Sequence, residues 1–288
     1  MNMQTDKPQT DGVTGATAIK RIAIIGVSHR SIKLSKVLQD EVDADHWRIV
    51  GLWDVDPKRF EAFTIAFPEQ TAIPTYLGDD TLEPMLDELR PDVALVCTMD
   101  RYHAPVAIRC LQRGIDVVVE KPMVIDSQQA QDLLDAEAAS TAGVHVAFNY
   151  RYQQKSRMLK HLLDQQTIGR VTAVEMNVYL NEIHGSSFFQ RWNRYRANSG
   201  GLSIHKEGHY LDMLCWWLDQ KPVEVFCYGA LNYYGPDGEM NPSRKDGRVC
   251  HDCDEIDRCA YQQVRRRKDP IDTHIGDLQK IDFGKRDK

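Results

Sequence analysis

The chain has 288 residues, of which 42% are hydrophobic and 27% are charged, and its formal net charge is -6. This length predicts about two domains with enough chain to bury a real core. The acidic balance gives no electrostatic basis for nucleic-acid binding. No stretch approaches the roughly 18 to 20 apolar residues of a membrane helix, and residues 1–20 are polar, without an apolar signal segment. We therefore expect a cytoplasmic protein without nucleic-acid or membrane partners.

After the polar tail 1–20, apolar runs of strand length alternate with helix-like segments over residues 21–150. The run from Arg21 to Gly26 is apolar after its first residue, which is typical of a strand that is buried on both faces of a parallel sheet. Further strands are expected over 48–54, 92–98, 115–120 and 144–149. Helices are expected over 31–41, 57–67, about 81–90, 104–113 and 127–140. This alternation predicts an α/β fold, a doubly wound parallel sheet of the Rossmann type with right-handed crossovers.

Beyond residue 150 the pattern changes. Helices are expected over 158–166 and 208–218, and strands over 171–180 and 223–232. These elements predict a second, α+β domain over 151–240, followed by a polar, cysteine-containing tail over 241–288.

The first strand runs into the sequence Gly26-Val27-Ser28-His29-Arg30-Ser31. A glycine that opens onto a helix places backbone amides at a helix N-terminus, where they suit a pyrophosphate. Only the first glycine of G-x-G-x-x-G is present, and Ser28 puts a Cβ where close backbone approach is usual. The Ser28 hydroxyl and the Arg30 charge favour phosphate binding. We assign Gly26, Ser28, His29 and Arg30 to cofactor binding.

An acidic residue, Asp54, ends the second strand 28 positions after Gly26. A carboxylate at this point accepts hydrogen bonds from the adenosine ribose and repels a 2′-phosphate. NAD is therefore favoured over NADP, although the neighbouring Lys58 and Arg59 are features that suit NADP.

Glu120-Lys121-Pro122 directly follows the apolar run 117–119. Proline stops the strand and leaves Lys121 at the sheet edge where doubly wound folds bind ligands. Lys121 is thus a candidate proton-transfer group. The alternative is that Glu120 and Lys121 are the solvated end of a strand.

Several ordered motifs together carry a family resemblance over residues 20–235. They are Thr98-Met99-Asp100-Arg101-Tyr102-His103, Glu120-Lys121-Pro122, Asn149-Tyr150-Arg151-Tyr152 and the Gly200-Gly201 to Asp212 segment. The chain resembles the Gfo/Idh/MocA family of nicotinamide-dependent oxidoreductases, in which the third strand leads to Thr-Pro-x-x-x-His, with methionine here in place of proline, and the next strand leads to Glu-Lys-Pro. The resemblance implies that Thr98, His103 and Glu120 also lie at the cofactor.

The resemblance further implies that Lys121 lies beside the nicotinamide and that His209 lies near the reacting hydroxyl. Many members carry aspartate four residues before that histidine. This chain carries His205 there and so resembles a branch with His-Lys. When a secondary alcohol loses hydride, its proton must pass to a base, for which Lys121, His209 and His205 are the catalytic candidates. Both histidines could instead be satisfied core residues.

The substrate implied by the resemblance is a sugar, inositol or related polyol. Asn149 and Arg151 follow the last nucleotide-domain strand, at a domain junction where ligands commonly bind. Trp192, with Arg194 and Tyr195, could wall a hydroxylated ring or serve packing, and both interpretations stay open. His205 is a further substrate-binding candidate. NAD-dependent glycoside hydrolase or lyase chemistry is an alternative to dehydrogenation.

Family members usually carry a large, open antiparallel sheet in the second domain, and this chain supplies only two predicted strands for it. We therefore expect an incomplete sheet and a C-terminally truncated member, for which a non-catalytic nucleotide- or partner-binding protein is the alternative. Unpaired sheet edges favour association, so we expect a homo-oligomer.

Three cysteines, Cys250, Cys253 and Cys259, lie within ten residues of a polar stretch. Their spacing suits a zinc site, for which His274 is the nearest later histidine that could complete four ligands. The alternative is free thiols in a loop.

Overall fold

The structure is a computed structural model. It describes residues 19–41, 46–70, 72–181, 184–185, 188–189, 192–235, 237–238 and 253–257. Nearly all of the predicted tails, 1–20 and 241–288, therefore lies outside the described residues. No helix among the described ranges is long and apolar enough to cross a membrane.

The first half of the chain alternates strands and helices as expected. The strands are β1 (Lys20–Ile25), β2 (Trp47–Asp54), β3 (Thr75–Leu77), β4 (Val93–Val96), β5 (Asp116–Val119) and β6 (Val144–Val146). The helices are α1 (His29–Glu41), α2 (Lys58–Ala66), α3 (Leu82–Leu89), α4 (His103–Leu111) and α5 (Ser127–Ala138). The edge strand β3 was not predicted, because its three residues are partly or fully exposed and form no apolar run.

The six strands form one parallel sheet in the order β3-β2-β1-β4-β5-β6. From β1 the chain adds β2 and β3 on one side of the sheet, and it then returns to add β4, β5 and β6 on the other side. The connections that follow the adjacent strands β1 and β4 therefore run in opposite directions. Ligands of doubly wound sheets bind in the crevice at the carboxyl ends of the strands at such a switch point. The predicted Rossmann-type fold class is confirmed.

Strand β1 shows why the sheet is covered on both faces. Ala23 and Ile25 pack into one core cluster and Ile22 and Ile24 into a second, and all four are at most 3% exposed. Successive side chains of a strand point to opposite faces. The uninterrupted apolar run at 22–25 therefore packs against a core on each face of the sheet.

The second part of the chain contains helix α6 (Gln154–Asp164), a short helical turn Arg196–Ser199, a π-helical turn Ser203–Glu207 and helix α7 (Gly208–Leu218). Helices α6 and α7 pack together, and the Trp217 indole Nε1 donates to the Ser156 carbonyl oxygen at 3.1 Å. Helix α6 begins four residues before the predicted 158, whereas α7 has the predicted bounds.

The two predicted strands of the second domain, 171–180 and 223–232, are wrong for the described structure. Neither segment has a ladder partner, and Phe226, Tyr228 and Tyr179 are 93%, 89% and 90% exposed. A strand is stable only when neighbouring strands satisfy its backbone and cover one face. The described residues provide no such neighbours for these segments.

Candidate active site

Gly26 forms the turn at the switch point. Its φ of +88° is in the region that favours glycine, and its amide donates to the Trp53 carbonyl oxygen at 2.9 Å. A Cβ at this position would lie 2.6 Å from the Thr98 amide nitrogen and 2.7 Å from the Cys97 carbonyl carbon. Gly26 therefore lets the turn after β1 approach the backbone that follows β4.

Two serines stabilise the turn where the motif lacks glycines. The Ser28 amide donates to Ser31 Oγ at 2.9 Å, and the Ser31 amide donates to Ser28 Oγ at 3.3 Å. This reciprocal pair caps α1, which begins at His29, two residues earlier than predicted. Ser28 is thus an N-cap, and the N-terminus of a 13-residue helix lies at the switch point.

Asp54 is held at the end of β2 by two backbone amides. Its Oδ2 accepts from Val27 at 2.8 Å and its Oδ1 from Asp56 at 3.0 Å. Burial raises the pKa of Asp54, and the hydrogen bond from Asp56 and the charge of Arg59 oppose that shift. Arg59 is itself paired with Asp56, at 3.8 Å between Nε and Oδ2.

Glu120 joins two of the predicted cofactor residues to each other. One carboxylate oxygen forms an ion pair with Arg30 Nε, and the other accepts from the Lys121 amide at 3.0 Å. Arg30, predicted to meet a phosphate directly, is therefore already paired with a buried carboxylate.

Lys121 reaches from the end of β5 to the second domain. Its Nζ donates to the His205 carbonyl oxygen at 2.9 Å. Burial lowers the pKa of Lys121, the charges of Lys206 and Arg30 lower it further, and those of Asp100 and Glu120 oppose the shift. The lysine is thus partly desolvated and poised to change protonation state more readily than a surface lysine.

The His205 side chain is paired with Asp100, which was not among the predicted site residues. Its Nδ1 pairs with Oδ2 of Asp100, which is 4% exposed in the turn after β4. The ring edges of Phe188 and Trp192 lie against the imidazole, at centroid distances of 5.3 and 5.7 Å. Trp192 therefore packs beside His205, and its role as a wall for a hydroxylated substrate stays a prediction.

His209 lies in α7 with its ring stacked on Tyr150, at a centroid distance of 4.1 Å. Its Nδ1 is buried and has no hydrogen-bond partner among the described residues. Burial, together with the nearby charges of Lys121 and Lys206, lowers the pKa of His209 to about 3. His209 is therefore a neutral imidazole with an unsatisfied nitrogen, which is not the arrangement of a satisfied core histidine.

Lys206 is a second cation that the sequence analysis did not assign to the site. It is 7% exposed, its Nζ donates to the Tyr150 hydroxyl at 3.3 Å, and it lies 5.6 Å from the ring centroids of Tyr150 and Tyr210. Two aromatic faces thus surround this ammonium group.

Three other predicted residues have more peripheral places. Both ring nitrogens of His103 contact carbonyl oxygens, those of Pro122 at 2.7 Å and Thr98 at 3.0 Å, so the ring ties the two strand ends together. Arg151 forms a bidentate pair with Asp212 at 2.9 and 2.5 Å, which joins the junction segment to α7. Asn149 is exposed at that junction.

Within the described ranges, no cluster of three or more histidine, cysteine or acidic side chains has the geometry of a metal site. Cys253 is a free, partly buried thiol. Cys250, Cys259 and His274 lie outside the described residues, so the zinc hypothesis stays a prediction.

The donor set at the switch point fits a dinucleotide. The N-terminus of α1 supplies amides for a pyrophosphate, and Asp54, whose oxygens accept one amide each, retains lone pairs for ribose hydroxyls. The groups of Lys121, Lys206, His205 and His209 gather beyond the ends of β4 and β5, where the reacting end of such a ligand would lie.

Comparison with known families now identifies the chain. The family of oxidoreductases with an NAD-binding Rossmann fold (GFO_IDH_MocA) matches residues 20–148, and the C-terminal alpha/beta domain of the same family matches residues 160–265. The chain belongs to the Gfo/Idh/MocA oxidoreductase family, as its motifs indicated.

Individual relatives agree with this membership. The chain is 44% identical over 244 residues to YteT of Bacillus subtilis (strain 168), named as an oxidoreductase, and the match covers 84% of this chain and 57% of YteT. A WlbA dehydrogenase from Chromobacterium violaceum, solved with NADH and UDP-GlcNAcA, has a TM-score of 0.60 at 22% identity, covering 75% of this chain and 58% of that one. Myo-inositol 2-dehydrogenase from Lactobacillus plantarum has a TM-score of 0.58 at 20% identity, covering 71% and 58%. These two structures support the fold, and the chain spans less than two thirds of the length of all three relatives.

Proposed function

We propose that the protein is an NAD-dependent oxidoreductase that transfers hydride between the nicotinamide and a hydroxyl-bearing carbon of a sugar, inositol or related polyol. The observation that carries this proposal is the partly buried Lys121 ammonium at the end of β5, which donates to the His205 carbonyl oxygen and contributes to the lowered pKa of the neutral His209. Family membership and the relatives named as inositol 2-dehydrogenases support the choice of substrate class.

The two candidate bases differ in their ability to keep a proton. His209, with a pKa of about 3, does not retain a proton near neutral pH. Burial lowers the pKa of Lys121, which makes its neutral, proton-accepting form more accessible than that of a surface lysine. We therefore assign Lys121 as the group that takes the hydroxyl proton and His209 as a hydrogen-bonding partner that orients the hydroxyl.

The charge of Lys121 is one of the causes that lower the pKa of His209, after burial. His209 therefore stays neutral when Lys121 holds the proton of the substrate hydroxyl. NAD, when bound, supplies the acceptor for the hydride. The protein residues hold the hydroxyl and receive its proton.

NAD is the cofactor that the residues favour. The Asp54 carboxylate at the end of β2 suits a free 2′-hydroxyl, and the nearby cation Arg59 is paired with Asp56, so it is less suited to bind a 2′-phosphate. Ser28 caps α1 where G-x-G-x-x-G motifs have glycine, and its hydroxyl hydrogen provides a donor for a phosphate oxygen.

The function is tested by isothermal titration calorimetry with NAD and with NADP, followed by a screen of inositols, aldoses and glycosides for NADH formation. We expect NAD to bind more tightly than NADP and at least one polyol to reduce NAD stoichiometrically. Absence of binding to both nucleotides would refute the cofactor assignment. Sugar release without net NADH would show glycoside cleavage instead, and binding without any turnover would show a nucleotide-binding protein.

A further inference from the structure

Asp100 is the buried carboxylate of the site that the family motifs do not explain. It follows β4 in the nucleotide domain, is 4% exposed, and pairs with His205, a residue 105 positions later in the second domain. A buried carboxylate without a partner is costly, so the pair constrains both segments.

His205 transmits this constraint to Lys121. The imidazole faces Asp100 while the carbonyl oxygen of the same residue accepts from Lys121 Nζ at 2.9 Å. The rings of Phe188 and Trp192 pack against the imidazole in T-shaped arrangements, at centroid distances of 5.3 and 5.7 Å. The position of the Lys121 acceptor therefore depends on where Asp100 holds the ring.

We infer that Asp100 is a positioning residue for proton transfer, which fixes the site of Lys121 through His205 and supplies negative charge to it. This inference rests on the proposed function, in which Lys121 takes the substrate proton. In this role the Asp100 carboxylate, which belongs to the nucleotide domain, influences Lys121 through His205 without contacting the substrate.

The charges around Lys121 support an electrostatic share in this role. Asp100 and Glu120 raise its pKa against burial, and Glu120 is already engaged by Arg30. The titratable and charged groups that face the lysine from the surrounding elements are Glu120, Arg30, Asp100, His184, His205, Lys206 and His209. Loss of the Asp100 charge leaves Glu120 as the carboxylate opposing these cations.

Two variants separate position from charge. Asp100→Asn keeps the shape and an acceptor but removes the charge, whereas Asp100→Glu keeps the charge but displaces the carboxylate by a methylene group. Asp116→Asn is the control for removing a hydrogen-bonded carboxylate elsewhere in the domain, because Asp116 Oδ1 accepts from the Gly143 amide at 3.0 Å at the opposite end of β5. Five strand residues place it about 16 Å from Lys121.

The first readout needs no substrate: trace acetylation of Lys121 as a function of pH, followed by peptide mass spectrometry. We expect the Lys121 midpoint to move to lower pH in Asp100→Asn and to stay near the wild-type value in Asp100→Glu and Asp116→Asn. An unmoved midpoint in folded Asp100→Asn, or an equal shift in Asp116→Asn, would overturn the inference. If Asp100→Asn does not unfold cooperatively in urea, the test uses Asp100→Glu, which keeps the negative charge. A Lys121 midpoint that moves in Asp100→Glu would then contradict the role of the Asp100 charge.

The second readout is the pH profile of kcat/KM with NAD and an accepted polyol. Both Asp100 variants are expected to lose about tenfold to a hundredfold in kcat while KM for NAD changes little, because a displaced base loses the reactive geometry. The acid limb should move to lower pH only in Asp100→Asn. Equal losses in kcat and cofactor affinity would overturn the positioning role. If the acetylation midpoint moves in Asp100→Asn but the wild type turns over no polyol, the result would instead refute the proposed function.

Discussion

Gly26→Ala tests whether the turn after β1 depends on close contact between two strand ends. The substitution adds a Cβ at a φ of +88°, 2.6 Å from the Thr98 amide nitrogen and 2.7 Å from the Cys97 carbonyl carbon. These are backbone atoms directly after the central strand β4, and they cannot move aside as a flexible side chain could. Unfavourable φ costs about 1–2 kcal/mol, and the overlap adds about 1–3 kcal/mol, so a loss of about 2–5 kcal/mol in unfolding free energy is expected.

Gly169→Ala is the matched control for the backbone term. Gly169 has a φ of +71° but no atom within 4 Å of an added Cβ, so its cost should be limited to about 1–2 kcal/mol. Urea unfolding of both variants measures the difference, and calorimetry measures NAD binding. Equal destabilisation by the two substitutions, with unchanged NAD affinity in Gly26→Ala, would refute the close-approach explanation.

Three further predictions address charge and contact. Because His209 has a pKa of about 3 in the folded protein and 6.5 as its ordinary value, the unfolded chain binds more protons between these pH values, and stability falls as pH drops below about 6.5. In the wild type, the unfolding free energy measured in urea should be lower at pH 5 than at pH 7, and in His209→Gln this decrease should be smaller by up to about 2 kcal/mol. The same decrease in both proteins would contradict the pKa shift. Asp54→Ser should weaken NAD and narrow the NAD-to-NADP preference, as measured by calorimetry; an unchanged ratio would remove Asp54 from ribose recognition. Arg151→Lys loses the bidentate geometry with Asp212 and should lower the unfolding free energy by about 1 kcal/mol. Lys160→Ala, which removes an exposed helical ion pair, should cost less than about 0.5 kcal/mol, and equal losses would contradict a special role for the Arg151 fork.

Much of the nucleotide domain could be predicted because its signals are local. Asp54 and Lys121 directly follow apolar runs, and the carboxyl ends of parallel strands share one edge of the sheet, so their placement followed from the strand assignment. The start of α5 is a local signal of the same kind, because Asp126 directly before it accepts from the Gln129 amide at 2.8 Å as an N-cap.

The contacts that organise the candidate site could not be predicted in this way. Asp100 and His205 are 105 residues apart, Tyr150 and Lys206 are 56 apart, and Arg151 and Asp212 are 61 apart. No periodicity links such positions, because their proximity depends on how the second part of the chain packs against the sheet. Likewise, the alternation at 171–180 indicates a surface suited to a sheet but carries no information about whether a neighbouring strand is present.

The most direct test of the central claim is NADH formation by the wild type and by Lys121→Ala over the same polyol panel, with NAD affinity measured on both proteins. We expect the wild type to reduce NAD with at least one polyol and Lys121→Ala to lose turnover by on the order of a hundredfold or more, with a smaller change in NAD affinity, as removal of a positioned proton-transfer group requires. Near-wild-type turnover in Lys121→Ala would contradict the assignment of this lysine as the base.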